Sequence, residues 1–143
     1  MNTDTSDFLS TLLFASVMDD SPKWLRDANV HQFAPAFISH VEKFIDGFKA
    51  HLESIGFDMD RLDKLQNSFG GNVYFSLSGH GCGFLDEYGE DKELGKELQK
   101  ALDNYSGDRY RFEQIDLSKT GKYINLSFKK EFIAEYLNKY FTV

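Results

Sequence analysis

The sequence predicts an α+β fold, with about five helices packed on a small, mostly antiparallel sheet of two hairpins. Three observations carry this. Apolar residues recur at helical spacing through the first half and again over residues 90–105 and 128–140. Residues 72–78 alternate apolar and polar, the period of a half-buried strand. Lys119-Thr120-Gly121 separates two further strand-like runs, as a hairpin turn does. At 143 residues the chain reads as one domain, 1–143, with a helical part over about 5–69 and an α/β part over about 70–143.

The first expected helix runs from about Asp7 to Met18, with Phe8, Leu9, Leu12, Leu13, Ser16 and Val17 on its buried face. Asp4, Thr5 and Ser6 supply capping oxygens, and Asp19-Asp20-Ser21-Pro22 ends it. Trp24–Phe33 is a connector with room for one short turn of helix. A long helix follows over about Pro35–Ile55, opened by a first-turn proline and stopped at Gly56. Its stripe is Phe37, Val41, Phe44, Phe48, Leu52 and Ile55, widened by Ile38 and Ile45, and it reads as a core face. A shorter polar helix is expected over about Asp58–Ser68.

Asn72–Ser78 then forms the first strand, with Val73, Phe75 and Leu77 inward. Phe84-Leu85 returns as a short partner. Glu90–Tyr105 is a helix with Leu94, Leu98, Ala101, Leu102 and Tyr105 on one face and acids at its start, where the dipole favours them. Arg111–Ser118 and Lys122–Ser127 make the second hairpin. A last helix runs from Phe128 to about Tyr140, capped by Ser127.

The net charge is −7, which opposes attraction to phosphate backbones and anionic lipid. Residues 1–60 carry ten acids and four bases, whereas residues 61–143 are nearly neutral. The plain reading is two solvated faces; the sharper one is an acidic docking face made by the first helices. Arg109, Arg111, Lys119, Lys122, Lys129 and Lys130 form a basic stretch over 109–130. With Tyr110 and Tyr123 it offers a nucleic-acid reading that the overall charge disfavours. One cysteine, Cys82, excludes an internal disulfide and fits a reducing compartment. The Phe8–Met18 run is too short to span a bilayer, and Asp4 and Asp7 sit where a signal peptide needs positive charge.

Candidate chemistry concentrates at Ser78-Gly79-His80-Gly81-Cys82-Gly83-Phe84-Leu85-Asp86. Gly79, Gly81 and Gly83 permit backbone conformations closed to other residues. His80 with Asp86 or Glu87, with or without a divalent ion, suggests a hydrolase or nuclease, with those three as candidate catalytic residues. No spacing fixes two metal ligands on a single helix face, so no metal or cofactor is expected. Cys82 reads as a small hydrophobe rather than a nucleophile. The glycines lack the lysine of a phosphate-binding loop, and acids come after them. His31, His40 and His51 read as polar-face residues. The structural reading is that His80 braces the turn, Phe84 packs beneath it and Asp86 caps the next segment of chain.

Tyr74-Phe75-Ser76-Leu77 followed by Gly79, His80, Gly81, Gly83, Phe84 and Asp86 resembles a motif of small tailed-bacteriophage and mobile-element proteins. That motif is an aromatic strand leading into Gly-His-Gly-x-Gly-Phe-Trp-Asp. Cys82 stands where a small apolar residue is common, and Leu85 replaces the tryptophan. The likeness extends loosely to Phe8–Leu13, to the helix after Ala34-Pro35 and to Glu113–Leu117. It implies a phage accessory protein in the host cytoplasm that binds a host bacterial protein, as host-takeover and counter-defence proteins do. It implies no settled chemistry.

Overall fold

The computed structural model describes residues 1–78, 83–107 and 115–128, the backbone alone at 115–116 and 126–128. Within them the chain is mostly helical, with one two-stranded antiparallel hairpin. The helices are α1 (Thr3–Ser16), α2 (Lys23–Arg26), α3 (Pro35–Ser54), α4 (Phe69–Ser78) and α5 (Leu94–Ser106). Short 3-10 turns occupy Val30–Gln32, Met59–Lys64 and Phe84–Asp86. The strands are β1 (Ile115–Thr120) and β2 (Tyr123–Phe128).

The amphipathic helices lie close to where their periodicity puts them. α1 starts earlier than its spacing suggests, because Asn2 is the cap and its side chain accepts the Thr5 N–H at 2.8 Å. Phe8, Leu9, Leu12 and Leu13 are buried as expected. α3 opens on Pro35, and Gly56 beyond its end takes a positive φ of 78° that a side chain would resist. Its buried stripe is Val41, Ile45, Phe48 and Leu52, and Ile55 lies outside it as the exposed cap residue. α5 begins at Leu94 rather than Glu90, with a turn before it in which the Asp91 carbonyl accepts the Leu94 N–H at 3.2 Å.

The expected first hairpin is absent. Asn72–Ser78 belongs to α4, and Phe84-Leu85 belongs to a 3-10 turn. Alternation failed as a guide because α4 is buried on nearly every side: Val73 and Leu77 but also Tyr74, Ser76 and Ser78 are inside. A short apolar run of this kind does not separate strand from buried helix. The polar helix expected over 58–68 is the 3-10 turn Met59–Lys64, opened by Asp58 accepting the Asp60 N–H.

The second hairpin forms with its turn at Gly121-Lys122, since Lys119 and Thr120 extend β1. It is registered Ile115 to Phe128 and Thr120 to Tyr123, with Gly121 at φ 60°, and residues 111–114 of the expected first strand lie outside the described residues. Ser127, expected to cap a helix, pairs instead with Asp116, and Phe128 closes β2. The proposed helix beyond Phe128 lies outside the described residues. β2 is tied back to the connector before α3 by a bridge between Phe33 and Ile124, both fully buried.

One core joins these elements. α1 and α4 form the tightest pair, because Gly70 lies so near α1 that a Cβ there would drive into the Asp4 carbonyl oxygen. Beneath them Phe48 stacks on Phe69 at 5.7 Å between ring centroids, with Phe84 and Tyr105 at 6.5 and 5.8 Å. Offset and tilted rings at such distances contribute beyond their buried area.

Candidate functional site

The motif that the sequence singles out is described at its two ends. Gly79, His80, Gly81 and Cys82 lie outside the described residues. α4 delivers the chain to Ser78, which is buried and donates its hydroxyl to the Phe75 carbonyl at 3.1 Å. The chain resumes at Gly83, packed so closely on Ser76 that a Cβ would strike the Ser76 hydroxyl. That hydroxyl accepts the Phe84 N–H at 3.0 Å. The two ends of the segment are therefore fastened to each other, and Phe84 is driven fully into the aromatic core against Phe48 and Phe69. Leu85 and Asp86 face solvent. The Asp86 N–H donates to the Gly83 carbonyl at 2.9 Å, which closes the 3-10 turn.

Glu87 has a distinct task. Its carboxylate accepts the Gln66 N–H at 2.9 Å, the Asn67 N–H at 3.0 Å and the Asn72 side-chain amide at 2.7 Å. It thereby holds the loop leading into α4 and anchors the buried Asn72, whose amide also reaches the Ser68 carbonyl at 3.2 Å. A carboxylate holding three N–H groups is a fastening, with little lone-pair capacity left for a substrate proton.

A second brace sits beside it. Arg61 donates through Nε and Nη2 to Asp91 at 2.7 and 3.0 Å, and through Nη1 to Glu97. The hydrogen bond to Asp91, helped by Glu97, pushes the guanidinium further toward its charged form, and Arg61 in turn holds the Asp91 carboxyl below the usual range. Gly95 lets the start of α5 press against the Phe84 carbonyl. Sequence reasoning missed Arg61 and Asp91, which lie thirty positions apart with no local pattern joining them. Among the described residues, no group of three His, Cys, Asp or Glu side chains converges as a metal cradle.

The other sequence candidates are dispersed. His31 is exposed, and His51 packs its ring on Tyr105 at 5.6 Å. In the basic stretch, Lys119 and Lys122 project at the hairpin tip, with the Lys122 ammonium 5.3 Å from the Tyr123 ring. Arg109, Tyr110, Arg111, Lys129 and Lys130 lie outside the described residues. A groove of about 350 Å³ runs along α3 beside Pro35, Ile38, Ser39, Glu42, Lys43 and Asp46. No described helix is long and apolar enough to cross a membrane.

The acidic first half carries one more feature. Phe14, in the last turn of α1, is 80% exposed and Met18, just past the helix, is 64% exposed, and Asp19 and Asp20 come immediately after. Phe14 falls off the core stripe of Phe8, Leu9, Leu12 and Leu13, a signal that spacing alone contains. Compared with protein-family models, with curated proteins and with solved structures, the chain matches none.

Proposed function

We propose that this chain is a phage-type accessory protein that acts by binding a host bacterial protein, without a reaction of its own. The observation that supports this most is around the end of α1, where Phe14 and Met18 stand in solvent and the exposed Asp19 and Asp20 follow Met18 in the chain. Exposed aromatic and methionine side chains are what interface cores are made of. The motif resemblance supplies the phage origin and the host partner. The bonding of Glu87 supports the non-catalytic half of the proposal, because one of the three candidate catalytic groups is committed to scaffold N–H donors.

Affinity purification of the tagged chain from infected cells, followed by mass spectrometry, should recover one host protein well above background. His80→Ala, checked for folding by circular dichroism, should match the wild type in having no hydrolytic activity, and an activity in the wild type that this substitution removes overturns the non-catalytic half of the reading. Recovery of no host protein, together with unchanged phage growth on deletion, overturns the reading.

A further inference from the structure

The end of α1 is held in one shape by its own backbone. Val17 leaves the helix in extended conformation, its N–H still donating to the Phe14 carbonyl at 3.4 Å. The Met18 N–H then donates to the Ser21 hydroxyl at 2.7 Å, and the Ser21 N–H returns to the Met18 carbonyl at 3.0 Å. This stitched turn holds Met18, Asp19 and Asp20 directly after the last turn of α1, which carries Phe14, and that lowers the ordering cost of any association.

Charge decides what can cover it. Residues 1–22 contain four aspartates and no lysine or arginine. Asp4 is paired with Lys49, but no ion pair engages Asp19 or Asp20 among the described residues; Lys23 and Arg26, the nearest bases in sequence, make none with them. Both acids also sit at the negative end of the helix dipole, and α1 has no basic residue in its last turn to offset it. A nucleic acid or an anionic membrane would meet this surface with like charge. A second copy would do the same, since a two-fold contact centred on Phe14 brings both pairs of aspartates together. A cationic protein surface satisfies both features at once.

We infer that Phe14 and Met18, flanked by Asp19 and Asp20, form the docking surface, and that its occupant is a basic protein segment bearing a large apolar side chain. This rests on the protein-binding reading and specifies the chemistry of the partner. Phe14 and Met18 are the anchors; Asp19 and Asp20 steer the approach and reject acidic partners.

The test uses the full chain against a naive displayed library of random peptides at low salt. Enriched peptides should pair Lys or Arg with Trp, Phe or Leu. A synthetic copy of the most enriched peptide, titrated by fluorescence anisotropy, should bind Phe14→Ser roughly 30-fold more weakly. The double change Asp19→Asn and Asp20→Asn should weaken binding roughly fivefold, an effect that fades as salt rises. Tyr88→Ser, at an aromatic that is 72% exposed elsewhere, should leave binding unchanged. If Phe14→Ser does not fold, Met18→Ser, outside the helix, gives the same reading. No enrichment, enrichment of neutral or acidic peptides, or binding indifferent to Phe14 and Met18 overturns the inference. So does a Phe14-dependent dimer in size-exclusion chromatography, which assigns the surface to a second copy. A host protein captured equally by wild type and Phe14→Ser would sink this surface and spare the proposed function. Peptide binding without any host protein captured would do the reverse.

Discussion

Helices α3 and α4 enter the same core by opposite means. α3 is long and two-faced, burying Val41, Ile45, Phe48 and Leu52 while Ser39, Lys43 and Asp46 stay in water. α4 is half as long and buried almost all round, and it fits only because glycine and serine keep its girth small. In α3 the side chains do the packing. In α4 it is the absence of side chains at Gly70 and Gly71 that lets α1 come close. The lesson is that one core tolerates subtraction at one helix and addition at the other very differently.

The first way to sharpen that contrast is subtraction from α3. Phe48 is fully buried and meets the rings of Phe69, Phe84 and Tyr105. Phe48→Ala should cost about 3–5 kcal/mol, measured by urea denaturation, since it removes transfer energy and leaves a cavity among rings that cannot easily collapse. A loss under 1 kcal/mol would mean that the aromatic cluster is not the centre of the core.

Addition to α4 is the counterpart. Gly70→Ala inserts one methyl, yet the atom it meets is the Asp4 backbone carbonyl, which has no rotamer by which to yield. α1 must shift, and the cost should be about 3 kcal/mol, the upper end of ordinary overpacking. Helix propensity alone predicts the opposite sign: alanine is favoured over glycine by up to about 1 kcal/mol in a helix interior, and by less in the first turn, where Gly70 sits. A stabilised Gly70→Ala variant would therefore break the comparison outright.

This contrast also explains what the sequence could disclose. An amphipathic helix writes its burial into its spacing, so α1, α3 and α5 were legible from Phe8–Leu13, Val41–Leu52 and Leu94–Leu102. The hairpin was legible from Gly121, whose positive φ the turn requires. α4 hid because a helix buried on all sides has no polar face to set its period, and Val73-Tyr74-Phe75-Ser76-Leu77 imitates a strand. The site was legible in part: the residues from Gly83 to Glu87 do occupy a built junction, but with Glu87 as a fastening. The Arg61–Asp91 pair was not legible at all, since only the fold brings those positions together.

The smallest effect separates the helices by pH. Tyr74 lies on α4, 3% exposed, edge-on to Phe8 at 5.5 Å, and burial pushes its phenol up to about 12, with a hydrogen bond between it and Ser78 pulling the other way. An unfolded tyrosine loses its proton near pH 10. Between those values the unfolded chain gives up a proton that the folded chain keeps, so the unfolded state binds fewer protons and stability falls as pH rises. The contribution is intact below pH 10 and is lost progressively toward pH 12, by on the order of 2 kcal/mol. Tyr74→Phe should abolish that alkaline loss while removing the Ser78 hydrogen bond, a modest cost of about 1 kcal/mol that is present at every pH below 10. Denaturation curves at pH 8 and pH 11.5 give the comparison, because lysine deprotonation is common to both chains and cancels. Equal alkaline losses in the wild type and in Tyr74→Phe would place the phenol in water and leave α4 no more enclosed than α3.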